Sequence, residues 1–92
     1  MISSGEALLV LNKWKNESFP LWAVFADRTT VESFAASILN CGSRELRLDR
    51  KDAALFHVGL TDALFDCAPS KDDPRVLDIS LARGGHCILI RL

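Results

Sequence analysis

Cysteine is scarce in this chain: Cys41, Cys67 and Cys87 are three in number, with no CxxC spacing. An odd set without paired spacing argues against a disulfide framework and reads as buried free thiols. An excess of either charge is also lacking, because 11 basic and 12 acidic residues leave a net charge of −1. Nucleic-acid binding draws much of its free energy from lysines and arginines that neutralise phosphates. Without a basic excess, a nucleic-acid partner is disfavoured, and no cluster of like charges marks a tail or a membrane anchor. Long apolar runs are missing too. Ala7–Leu11 and Cys87–Ile90 fall far short of the ~20 residues that span a bilayer, so no membrane partner is expected. Met1–Glu6 lacks the basic flank and apolar stretch of a secretion signal, which makes the cytoplasm the expected compartment.

What is present is the composition of a packed globule. Hydrophobic residues make up 49% of 92 residues and charged residues 25%, enough apolar material for one core and one domain over 1–92. The first segment reads as a helix. Ser3 and Glu6 have capping-box spacing, in which each side chain satisfies a backbone N–H near the other. Ala7, Val10, Leu11 and Trp14 follow at helical spacing, widened by Leu8 and Leu9. Lys13 and Lys15 favour the C-terminal end of the dipole. Pro20 then disfavours helix at Phe19 and opens an apolar run, Leu21–Ala26, read as the first strand.

Val31–Asn40 admits two readings. As a helix it would bury Val31, Phe34, Ala35, Ile38 and Leu39; as a strand it points Phe34, Ala36 and Ile38 inward. Gly42 suits either, as a helix terminator or as the left-handed residue of a hairpin loop. The strand is preferred because strands follow it and consecutive elements usually pair. Leu46 and Leu48 alternate with Glu45, Arg47 and Asp49; Lys51-Asp52 makes a turn; Ala54, Phe56, Val58 and Leu60 alternate again. Thr61–Cys67 fits a helical turn or a strand extension, and Ala68–Pro74 is a polar loop. Leu77, Ile79 and Leu81 alternate inward, Arg83-Gly84-Gly85 turns the chain, and Cys87–Ile90 returns as a largely buried strand. The expected fold is mainly β: an N-terminal helix followed by a small bent-sheet barrel of five to six antiparallel strands. The alternative is α+β with a helix at 30–41.

The stretch from Pro20 to Phe65, PLWAVFADRTTVESFAASILNCGSRELRLDRKDAALFHVGLTDALF, resembles the Sm-like small barrels in hydrophobic rhythm and turn spacing. SH3-like barrels share that rhythm. The resemblance implies a strongly bent five-stranded sheet behind an N-terminal helix. It departs from the family where a strand glycine would stand, since this chain has Ala35-Ala36. Leu60-Thr61-Asp62-Ala63 does not match the family's RNA-contacting element either, so no RNA-binding residue carries over.

The residues that could carry chemistry are few. His57, His86 and the three cysteines lack the close paired spacing of zinc ligands, and His86 and Cys87 would point to opposite faces of a strand. A nucleophilic pair such as Cys67 with His57 has no local signature. Asp72-Asp73 and Asp62/Asp66 read as solvated carboxylates, and Gly84-Gly85 as a turn without the spacing of a phosphate cradle. Arg44, Arg47, Arg50 and Lys51 form the main basic concentration and are the candidate anion or partner contacts. Phe25, Phe34, Phe56, Phe65 and Trp14 are expected in the core, while Trp22 and Phe19 are candidates for a partner-facing patch. No catalytic residue, metal or cofactor is expected. The sequence points to an interaction or assembly module that forms homo-oligomers or binds a protein partner. The alternatives are an Sm-like nucleic-acid binder and, behind it, a small metal or thiol enzyme.

Overall fold

The computed structural model describes residues 1–51, 54–70 and 72–92. The first element is α1, Ser4–Asn16. It begins as the sequence dictates: the Ser3 side chain accepts from the Glu6 N–H, and the Glu6 carboxylate accepts from the Ser3 N–H at 3.0 Å. It ends in a way the sequence hides. Ser18 adopts φ 54°, its N–H donates to the Lys15 carbonyl, and the Phe19 N–H donates to the Trp14 carbonyl. That bond pair is a Schellman termination, here with serine where glycine is usual.

Seven strands follow: β1 Leu21–Ala26, β2 Val31–Cys41, β3 Glu45–Asp49, β4 Phe56–Gly59, β5 Leu64–Ala68, β6 Val76–Ser80 and β7 His86–Arg91. They form one sheet in the order β4-β3-β2-β1-β7-β6-β5, every neighbouring pair antiparallel. The mainly β class with an N-terminal helix is thus what the chain adopts, and 31–41 is strand rather than helix.

The closed barrel of five or six strands is not. With seven alternating strands, the two edges β4 and β5 run parallel to one another in the unrolled sheet, so no antiparallel ladder can join them. The sheet stays open. The additional strand is β5, in the segment the sequence left between helical turn and strand. The two unpaired edges are joined in sequence by a tight turn in which the Ala63 N–H donates to the Leu60 carbonyl and Asp62 takes φ 58°.

Although open, the sheet is strongly curled. In a flat sheet β4 would lie about 14 Å from β1, three strand spacings away. The rings of Phe25 on β1 and Phe56 on β4 are instead 5.2 Å apart, and Phe34 on β2 is 5.0 Å from Phe56. The bend is made in β2. Its first half pairs with β1 and its second half with β3, and the register slips between Ile38 and Asn40. A bulge at Leu39 does what a strand glycine would otherwise do. Gly42, beyond it, does not take the left-handed conformation expected of it; among the glycines only Gly84, in the β6–β7 turn, does so at φ 92°. Asp52, the other expected turn residue, lies outside the described residues.

The concave side of the sheet holds the core. Leu21, Ala23, Leu46, Leu48, Leu77, Ile79, Cys87 and Leu89 are fully buried, each large one contributing about 1.5–3 kcal/mol. Helix α1 lies against β2 and β5 and adds Ala7, Leu11 and Trp14 to this cluster. The β5 edge also receives Ile2, whose N–H donates to the Phe65 carbonyl at 3.0 Å. No polar or charged side chain is buried among the described residues. No helix among them is long and apolar enough to cross a membrane.

Candidate functional site

The convex side of the same sheet is built from the alternate residues, and the cross-strand register sorts them into rows. One row crosses β2, β1, β7 and β6 as Ala35, Trp22, Ile90 and Val76. The next is Ser33, Val24, Ile88 and Asp78, and the third is Val31, Ala26, His86 and Ser80. The first row is apolar throughout, and the centre of the second is apolar as well. Trp22 is 38% exposed and Val31 76%; Val24, Ile88, Ile90 and Val76 are half-buried. Apolar side chains joined across four strands form a patch, which scattered surface leucines do not. Of the two residues expected in a partner-facing patch, Trp22 lies at its centre. Phe19 does not: it packs against the core, with the Arg91 guanidinium 4.9 Å above its ring.

The four basic residues read from the sequence are placed apart. Arg44 and Arg50 flank opposite ends of β3, about 20 Å apart at 3.4 Å per residue. Arg47 points to the convex face and bonds the Glu45 carboxylate at 2.6 Å, which also meets His57 Nδ1 at 3.0 Å. These two contacts hold Glu45 below the usual carboxylate range, the Arg47 bond first. Arg50 turns inward and stacks on Phe34, 4.5 Å from the ring centroid, and on Phe56 at 5.7 Å. Lys51 is exposed in a turn with φ 24°. They do not converge on one anion.

The thiols and imidazoles also fall separately. Cys87 is buried in the core, and burial with the nearby Asp78 carboxylate pushes its thiol up to about 12, so it stays protonated at neutral pH. Cys41 donates to the Asn12 side-chain oxygen at 3.3 Å, and burial raises it also. On the convex face, His86 Nδ1 lies 3.2 Å from Asp78 and 3.5 Å from the Ser80 hydroxyl. Those are the residue types of a hydrolytic triad, but both contacts use the same ring nitrogen. A base must accept from serine on one nitrogen while the carboxylate orients the other, so this trio cannot relay a proton that way. No three described His, Cys, Asp or Glu residues cluster as metal ligands.

A second feature lies where the curled sheet opens. The β1–β2 loop, the β6–β7 turn and the end of β4 surround a cavity of about 610 Å³. Phe25 and Leu81 give it apolar walls, Gly59 borders it, and Arg28 and Arg83 stand on its two loops. The loops are fixed. Asp27 accepts the N–H groups of Thr29 and Thr30, both at 2.8 Å, and the Thr29 hydroxyl, bonds that hold its carboxyl below the ordinary range. The Leu81 N–H donates to the Gly85 carbonyl at 2.7 Å. Gly85 packs so closely that a Cβ there would meet the Ala26 carbonyl oxygen at 3.1 Å, which locks one loop against the other. Sequence reading missed this pair of arginines, because residues far apart in the chain give no local signal.

The fold and these surfaces define a small antiparallel-sheet protein whose convex face carries an apolar row and whose mouth carries two arginines and one aspartate. Comparison with family models, with curated proteins and with solved structures finds no match.

Proposed function

We propose that this protein is a small non-catalytic assembly module that self-associates through the convex face of its sheet. The observation that carries the reading is the unbroken apolar row Ala35–Trp22–Ile90–Val76. A second copy suits this face because the rows complement themselves in reverse. A two-fold axis running along the strands between β1 and β7 sets Trp22 opposite the partner's Ile90. It sets Val24 opposite the partner's Ile88, and the Ser33 hydroxyl opposite the partner's Asp78 carboxylate. Isologous packing of this kind is the commonest route to a homodimer. Four strands about 4.8 Å apart and six residues long give a flat footprint of roughly 400 Å² per copy. Two such footprints bury about 800 Å² in all, below the range of stable complexes and within that of weak, transient ones, so the dimer is weak and reversible.

Sedimentation equilibrium across a concentration series tests this. The expected result is a monomer–dimer equilibrium that Trp22→Asp abolishes while the far-UV spectrum stays unchanged. Tryptophan emission gives an independent reading. Trp14 is buried at 1% exposure, so a blue shift with concentration reports burial of Trp22. A strict monomer at about 1 mM, the weak limit of useful affinity, refutes the proposal. So does a dimer that Trp22→Asp leaves intact.

A further inference from the structure

We infer that the mouth cavity is a binding site for a small amphiphilic oxyanion, a molecule with one carboxylate or phosphate head and a compact apolar body. Three observations carry this, and none depends on self-association. The first is composition. Arg28 and Arg83 come from separate loops, and the Arg28 Nε lies 4.0 Å from where a Cβ on Gly84, next to Arg83, would stand. Two guanidinium-bearing residues are thus brought to one opening.

The second is the lack of a direct ion pair. Arg47 has Glu45 and Arg91 has Asp73, whereas Arg28 and Arg83 have no carboxylate or hydrogen-bond partner among the described residues. Asp27, the one acid on the cavity wall, spends Oδ1 on three donors of its own turn. Its charge offsets part of theirs across the opening but pairs directly with neither, so both guanidiniums keep their donors for an external anion.

The third is shape. The cavity lies within the size range of small-molecule sites, and its loops are fixed beforehand by the Asp27 turn and the Gly85 contact. Guanidinium donors in a fixed fork suit the planar or tetrahedral oxygens of carboxylate and phosphate. Phe25 and Leu81 offer apolar surface that inorganic phosphate alone would leave in water.

Titration of the ¹⁵N-labelled full chain with hexanoate, phenyl phosphate, inorganic phosphate and hexanol tests the site. The expected result is amide shifts at Gly59, Leu81 and Gly85 with hexanoate, phenyl phosphate or both, each tighter than inorganic phosphate or hexanol. Which one binds tells a carboxylic acid from a phosphate monoester. Arg28→Gln and Arg83→Gln should each weaken binding about tenfold or more, the loss expected of one charge-assisted hydrogen bond. Their melting temperatures without ligand should equal or exceed that of the natural chain, since each removes a like-charge neighbour. If neither oxyanion shifts these amides at about 5 mM, the site is refuted. Equal binding of hexanol and hexanoate refutes it too, as does unchanged affinity in both glutamine variants.

Discussion

Strands β1 and β7 each present two apolar faces, and the two faces behave differently. On the concave side Leu21, Ala23, Cys87 and Leu89 are all at 0% exposure. On the convex side Trp22, Val24, Ile88 and Ile90, their immediate neighbours in sequence, are partly open to solvent. The chemistry of the residues is the same. What differs is the cover: one face is enclosed by the curl of the sheet and by α1, and no helix or strand among the described residues lies over the other. A strand that is apolar at every position is therefore not evidence of a core on both sides. In an antiparallel sheet it also marks a face that another molecule can complete.

The largest expected effect would separate the two faces. Leu89→Ala should lower the stability of the monomer by about 2–5 kcal/mol, because a fully buried leucine leaves a cavity in a closed environment. Ile90→Ala, one residue later, should cost the dilute monomer about 1 kcal/mol or less yet shift self-association toward monomer. Urea unfolding at low concentration, paired with sedimentation, reads both quantities. Equal destabilisation by the two variants would mean that the convex face is as well covered as the core, and the contrast would collapse.

A smaller effect concerns the helix that makes the concave face the buried one. Ser3→Ala removes a cap whose two bonds are both formed, and should cost about 1 kcal/mol. Ser18→Gly should do the opposite. Serine at φ 54° pays a steric penalty that glycine escapes, and after the entropy glycine gains in the unfolded chain a net gain of roughly 0.5–1 kcal/mol is expected. Thermal melts of the two variants should move in opposite directions. Unchanged melts in both variants would show that α1 is held by Trp14 and Leu11 and not by its ends.

Part of this contrast is legible in the sequence, and the exceptions have physical causes. Cys87–Ile90 reads as largely buried, whereas Ile88 and Ile90 are only half-buried on the convex side. Pro20 and Asp27 bracket β1 in the sequence, and Leu46/Leu48 and Leu77/Ile79 alternate clearly enough to fix which side faces the core. Val31–Cys41 satisfied both periods, and only the strands after it decided the matter. Strand β5 was not resolved from a helical turn because five residues with a single buried side chain, Phe65, sample the alternation too few times. Closure was misjudged because period and turn spacing carry no information on which strands become edges; with seven strands β4 and β5 cannot close the sheet by an antiparallel ladder, and they are not paired. On the sites, Trp22 was identifiable as a candidate for an exposed patch, but its row was not: Ile90 and Val76 come beside it only through register. The Arg44–Lys51 concentration was visible as a cluster in sequence and is spread in space, while Arg28 and Arg83 are the reverse.

The smallest effect belongs to the loop that ends β1, outside both faces. The Thr29 N–H, then that of Thr30, with the Thr29 hydroxyl, stabilises the charged form of Asp27 and lowers its pKa in the folded protein. A carboxylate with a depressed folded pKa contributes its stabilisation fully above its unfolded value, near 4, and loses it as pH falls through the folded value. Glu45, also lowered, acts in the same window, so the natural chain alone cannot assign the loss. Asp27→Asn separates them. The amide oxygen can still accept from the two turn N–H groups but does not titrate, so the difference in stability between the two proteins should be constant at neutral pH and shrink below about pH 4. Because the substitution also removes the one negative charge on the wall of the mouth, it should tighten oxyanion binding there while leaving self-association through Trp22 unchanged. A pH-independent difference would mean that the turn is held by its backbone alone; a change in the dimer would mean that the mouth and the convex face are not separate surfaces.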